Sequence, residues 1–250
     1  MSDRYEPPSV LKDVLYGVSP HLQLSIASEF VGTWNQHLKF TGHHRSCLLV
    51  PDDRVSLPSA RFFWDNSFLF SFDVDDTYQL AIVLNRWLGD NAMPSALRKE
   101  FPWLEIGTLA DYYEQGRPVE GEFLQSWDEM LNEFYGLPAE LVEGHFAVNA
   151  CRLLTAMRSR GYDRRLRAGQ SLWTLILSRS RRHGLREEQQ AIAFMFHEED
   201  NGMDVARGTC RDVFQAMHEE RDDNIVRMTT VTLNTEIVAM LDQLVCVEID

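Results

Sequence analysis

A chain of 250 residues, 44% hydrophobic and 11% aromatic, can bury a substantial core, which excludes an intrinsically disordered protein. Its net charge of -14 repels nucleic acid and anionic membrane surfaces, so neither is expected as a partner. The N-terminal stretch carries Asp3, Arg4, Glu6, Lys12 and Asp13 where a signal peptide would be apolar, and no later run reaches the roughly 18 apolar residues of a membrane span. A cytoplasmic location is the expectation.

In chain order, Val10 to Tyr16 is a short amphipathic piece suited to docking as a helix, and Cys47-Leu48-Leu49-Val50 reads as a buried strand ended by Pro51. Arg61 to Trp64 and Ser67 to Phe72 flank Asp65-Asn66, a dipeptide suited to a tight turn with positive φ, so a β-hairpin is predicted. Alternation in its second strand places Phe68, Phe70 and Phe72 together on the core face.

Asp75, Asp76 and Thr77 are N-cap candidates for a helix with Leu80, Val83, Leu84 and Trp87 at helical spacing. Pro94 opens a short helix to Glu100, Leu109 to Glu114 is another, and Phe123 to Phe134 and Leu141 to Arg160 are longer apolar-striped helices. Strands are predicted over Ser171 to Ser178, Gln190 to Glu198 and, after an Asn201-Gly202 turn, Met203 to Ala206. Thr209 with Asp212 forms a capping-box-like helix start, and Thr235 to Cys246 is the last helix.

The fold class is therefore α+β, with antiparallel sheet elements at both ends of a central helical segment. The order strand, tight turn, strand, capped helix recurs and has the pattern of a βββα duplication. The chain reads as a single domain over 1–250, with sub-divisions at 1–90, 91–161 and 162–250.

Familiar catalytic signatures are missing. There is no Gly-x-Ser-x-Gly elbow, no phosphate-cradling glycine loop and no dinucleotide fingerprint, and no cofactor is expected. Cys47, Cys151, Cys210 and Cys246 lie far apart and read as reduced core thiols. His43 and His44 are adjacent and point apart, so no metal site is expected. One weak catalytic candidate remains: His197 with Glu198 and Glu199, a histidine beside carboxylates that suits acid/base work.

Charge changes sign near residue 150. Acidic residues dominate from Glu100 to Glu143, and the next stretch holds Arg152, Arg158, Arg160, Arg164, Arg165 and Arg167. The two blocks either neutralise each other or build an anion- or partner-binding face. Leu172, Thr174 and Ile176 alternate with Trp173, Leu175 and Leu177, so that strand is expected inside a sheet covered on both faces, which places Arg179, Arg181, Arg182 and Arg186 together at a sheet end. These four are the predicted ligand- or partner-binding residues.

Arg86-Trp87-Leu88, Leu97 to Glu100, Phe101-Pro102-Trp103-Leu104, Tyr113-Glu114-Gln115-Gly116, the helix with Trp127, and Ser171-Leu172-Trp173-Thr174-Leu175 together resemble a domain family of unknown function labelled natural product biosynthesis protein, mainly actinobacterial. The resemblance spans about half of the chain and rests on packing residues. It implies an accessory role in a biosynthetic locus and transfers no catalytic residue. Three readings follow: an accessory protein binding an anionic ligand or acidic partner, an acidic immunity protein that neutralises a toxin, or an enzyme of unfamiliar type built on His197.

Overall fold

Strands dominate both ends of the chain and helices its middle in the computed structural model, which describes residues 9–22, 26–31, 37–51, 57–136, 146–172, 174–182, 186–197, 202–219 and 225–249. The fold is α+β, with two five-strand antiparallel sheets flanking a central helical segment in chain order. Contacts divide the chain into two compact units, Met1–Arg117 and Pro118–Asp250, so the division falls within the stretch 91–161 read as a helical insert.

The first unit opens with helix α1 (Ser9–Val18), whose Leu11, Val14 and Val18 are buried. Strands β1 (Ala27–Val31), β2 (His37–Thr41), β3 (Arg45–Val50), β4 (Ser59–Trp64) and β5 (Ser67–Asp73) follow as a meander in sheet order β1-β2-β3-β4-β5. Alternation puts Leu38, Phe40, Cys47, Leu49, Ala60 and Phe62 in one core with helix α2 (Thr77–Leu84), which Asp76 caps through its carboxylate 2.9 Å from the Tyr78 nitrogen. A single π-turn, Asn85–Gly89, extends α2, and helices α3 (Pro94–Glu100) and α4 (Leu109–Glu114) complete the unit. None of these helices buries the opposite sheet face, where Arg61 is exposed and Lys39 and Leu48 are partly so.

The predicted hairpin is present, with Asp65 at φ 48 and Asn66 at φ 65. Its second strand differs from expectation. Phe62 pairs with Phe70 and Phe63 with Phe68, so Leu69 is an extra residue that bulges the strand. The bulge reverses the alternation: Leu69 and Phe70 are buried, and Phe68 turns outward at 45% exposure.

Inside this core, Arg45 is 5% exposed and lies between two indoles, 4.0 Å from the Trp64 ring centre and 4.1 Å from that of Trp87. It donates to the carbonyls of Trp87 (3.3 Å) and Ala92 (2.6 Å). Burial pushes its pKa down to about 10, against the opposing field of Glu114, so it remains protonated at neutral pH.

The second unit begins with helices α5 (Pro118–Gly136) and α6 (Phe146–Arg158). Strands β6 (Arg167–Ser171), β7 (Thr174–Ser178), β8 (Gln190–Phe196) and β9 (Met203–Thr209), helix α7 (Cys210–Glu219), strand β10 (Ile225–Met228) and helix α8 (Thr235–Val245) complete it, with sheet order β10-β9-β8-β7-β6. Leu175, Leu177, Ile192, Phe194 and Val205 pack on one side with residues of α5, α6 and α8. Ile176, Ala193 and Ala206 pack on the other with Val213 and Ala216 of α7. β7 is therefore interior and covered on both faces, as its pattern predicts, and all five of its residues are buried.

The predicted single strand from Ser171 is instead a hairpin, because Leu172 adopts φ 52, projects outward at 77% exposure and separates β6 from β7. The Thr209 and Asp212 cap is as read: the Asp212 carboxylate accepts from the Thr209 nitrogen at 2.9 Å and from its hydroxyl at 2.7 Å. The order read from the sequence occurs in both units: three consecutive antiparallel strands followed by a capped helix, β3, β4, β5 and α2 in the first and β7, β8, β9 and α7 in the second. The Asn201 turn and the start of the helix read from Leu141 lie outside the described residues.

Candidate functional site

The four arginines predicted to form one basic patch are engaged separately. Arg181 makes a two-point pair with buried Glu122 of α5, at 2.8 and 3.2 Å. Arg179 donates to the carbonyls of Val247 and Arg165, each at 2.9 Å, which ties the end of β7 to the C-terminal segment. Arg186 pairs with Glu188 at 3.3 Å, and Arg182 is half-buried with its carbonyl accepting from the Ser180 hydroxyl at 2.8 Å. A cavity of about 310 Å³ does open beside Arg179, but Glu188 and Glu248 share its lining, so an anion there would face two carboxylates.

His197 follows the end of β8 and places Nε2 3.2 Å from Asp204 of β9. Arg227 of β10, opposite Asp204 in the sheet, holds the same carboxylate at 3.0 and 3.2 Å. Burial alone would raise the Asp204 pKa; the Arg227 hydrogen bonds and the field of His197 outweigh it and hold the carboxyl below its ordinary value. Glu198 and Glu199 lie outside the described residues. In this cross-strand cluster the Asp204 carboxylate accepts from Arg227 and lies against His197 Nε2.

The acidic stretch is largely paired within its own unit. Glu100 meets Arg86 at 2.9 Å, Asp111 meets Arg98, and Glu114 accepts from the Ser95 nitrogen at 2.9 Å. In the second unit Glu120 pairs with Arg164 (3.1 Å), and Asp128 with Arg158 (2.7 Å). The acidic α5 and the basic stretch after it thus neutralise each other where they touch. Among the described residues no group of His, Cys, Asp and Glu gathers as a metal site, and no helix is long and apolar enough to cross a membrane.

What this pairing leaves over is on α6. Arg152, Ala156 and Arg160 recur every four residues and so follow one stripe along the helix and the turn just after it. Arg152 and Arg160 are exposed, and among the described residues neither makes a side-chain hydrogen bond or an ion pair. Arg158, between them, is turned away to Asp128 and to Asp163 at 3.1 Å. The stripe forms one wall of a cavity of about 360 Å³ whose other wall is Val231, Thr232 and Leu233, the segment leading into α8. Leu153 and Val231 are almost fully buried and form its floor. Among the described residues no carboxylate lines it.

Nothing matches: no protein-family model fits the chain, and neither the curated proteins nor the solved structures contain a significant match. The geometry of the second unit is therefore the ground for any reading of its chemistry.

The sequence carried part of the signal for this groove, because Arg152 and Arg160 belong to the basic stretch already noted and their spacing is helical. It did not distinguish them from Arg158, Arg164 and Arg181, whose partners come from a different helix. The remaining expectations divide similarly. Cys47, Cys151 and Cys210 are buried thiols and burial raises their pKa values, whereas Cys246 is exposed. Trp87 and Trp127 are core residues, and Trp103 is 47% exposed.

Proposed function

We propose that this chain is a non-catalytic binding protein that holds an anionic group in the groove between α6 and the 231–233 segment. The observation that carries the reading is the pair Arg152 and Arg160, exposed and without acidic partners among the described residues, over a cavity of about 360 Å³. In a chain of net charge -14, two guanidinium groups at one concavity, without an ion pair among the described residues, are a local reversal of sign that attracts anions. The pairing of Arg179, Arg181 and Arg186 within the chain moves the proposed site away from their loop. A small anionic metabolite also suits the accessory role in a biosynthetic locus that the family resemblance implies.

The test is titration calorimetry with inorganic phosphate and with acetate, on the wild-type chain and on an Arg152→Ala, Arg160→Ala double variant. Binding that weakens with added salt and falls about tenfold or more in the double variant is expected, since two charge-assisted contacts are removed. Equal affinity in both proteins would place the anion elsewhere and end the reading.

A further inference from the structure

Building on that anion-binding reading, we infer that the groove takes an amphiphile: a single carboxylate or phosphate head joined to an apolar body of small-molecule size. Both kinds of surface it needs line the same groove. Guanidinium groups come from Arg152 and Arg160, whereas Leu153, Ala156, Val231 and Leu233 supply an apolar floor and sides. Leu153 is 1% and Val231 3% exposed, so the floor belongs to the packed core and is preformed. Polar contacts near the rim are few: the Ser159 hydroxyl already donates to the Ala156 carbonyl at 2.7 Å, and Thr232 is exposed beside it. A bare inorganic anion would leave the partly exposed Ala156 and Leu233 side chains wet, whereas an alkyl or aryl body would cover them.

Size and comparison narrow the occupant further. A cavity of about 360 Å³ is at the small end for organic ligands and holds a compact molecule, not a folded partner. Two other cavities of the same unit lack the combination. The one beside Arg179 is flanked by Glu188 and Glu248, and the one of about 280 Å³ that includes Arg207 has that guanidinium already bonded to Gln243 at 3.1 Å. In the first unit α1 and α2 approach closely, and a Cβ added at Gly17 of α1 would come 3.3 Å from the Thr77 hydroxyl of α2. In the second unit this space lies between the helical stripe and the segment entering the last helix, with Arg152 and Arg160 on its wall.

The experiment titrates the full chain with octanoate, octyl phosphate, acetate, inorganic phosphate and octanol below any micellar concentration. Binding is followed by calorimetry and by methyl NMR of Leu153, Val231 and Leu233. The octyl anions should bind about tenfold or more tightly than acetate and phosphate, because several methylenes leave water. They should shift those three methyl signals, and the advantage should vanish in Ala156→Trp, which fills the groove. The octanoate and octyl phosphate arms identify the preferred head. Equal binding of octyl phosphate and inorganic phosphate would overturn the amphiphile inference and leave the anion site standing. Octanol binding as well as octanoate, or no binding by any anion, would overturn the anion reading itself. Should Ala156→Trp fail to fold, the methyl shifts of the wild-type chain decide, since octyl ligands that leave them unmoved are bound elsewhere.

Discussion

The Ser126 hydroxyl of α5 accepts a hydrogen bond from the Ala168 backbone nitrogen of β6 at 3.0 Å, and donates its own proton to the Phe123 carbonyl at 2.6 Å. A helix side chain thereby satisfies a backbone donor on an edge strand, and the neighbouring Trp127 indole does the reverse by donating to the Leu166 carbonyl at 2.7 Å. Both Ser126 and Ala168 are 1% exposed, so the donor has no recourse to water. Ser126→Ala should cost about 1–3 kcal/mol in chemical denaturation, and Ser126→Thr, which keeps the hydroxyl, less. Equal stability of Ser126→Ala and wild type would show that the contact contributes nothing.

The bulge at Leu69 gives two neighbouring phenylalanines opposite fates. Phe70, 1% exposed, stacks on Phe62 with ring centres 4.6 Å apart, whereas Phe68 is 45% exposed. Phe70→Ala should destabilise the protein by about 3–5 kcal/mol, as large core truncations do. Phe68→Ala should cost less than about 1 kcal/mol. Similar losses for both variants would restore uninterrupted alternation and remove the bulge.

Arg45 is held by ring faces and carbonyls, not by a carboxylate. Truncation to alanine would leave two carbonyls and two indole faces without their cation, and a loss of about 3 kcal/mol or more is expected. Lysine keeps the charge but cannot stack as a plane between Trp64 and Trp87, so Arg45→Lys should recover less than half of that loss. Near-ultraviolet circular dichroism, which reports the two tryptophans, should change in both variants.

Asp204 sets an acid limit on the end of the second sheet. Its pKa is depressed in the folded protein, so its contribution is fully present above the unfolded aspartate value of about 3.9 and is lost as pH falls through the lower folded value. Asp204→Asn should therefore be less stable than wild type at pH 6 by roughly 1 kcal/mol or less, because Arg227 is largely exposed, and the difference should close toward pH 2. In Arg227→Ala the Asp204 carboxyl should titrate at higher pH by carbon-detected NMR.

How far the sequence reached follows from which signals are local. Helix α2 was readable because Asp76 caps it and Leu80, Val83 and Leu84 recur on one face, and the β4 and β5 hairpin because Asp65-Asn66 tolerates positive φ. Strand β6, Arg-Ala-Gly-Gln-Ser, has no apolar alternation; it is held by its pairing with β7 and, from α5, by Ser126 and by Glu133, which accepts from Gln170. A turn at Leu172 has no glycine or asparagine to announce it. The groove combines both cases: the spacing of Arg152 and Arg160 is written in the chain, but their freedom depends on where Asp128, Glu120 and Glu122 of another helix finish, which is a tertiary fact.

Helix α7 has a consequence for how the two halves of the gene can vary. By covering the second face of its sheet, it leaves β7 no position from Thr174 to Ser178 that meets solvent. In the first unit no helix among the described residues does the same, and β2 and β3 alternate between buried and partly open positions. A saturation mutagenesis library should therefore accept substitutions at every other codon within each of the stretches His37–Thr41 and Arg45–Val50, at Lys39 and Leu48 among them. From Thr174 to Ser178 it should reject them at every codon. The tolerance map would show a two-residue rhythm in the first half and a solid block in the second, an asymmetry imposed by one ten-residue helix.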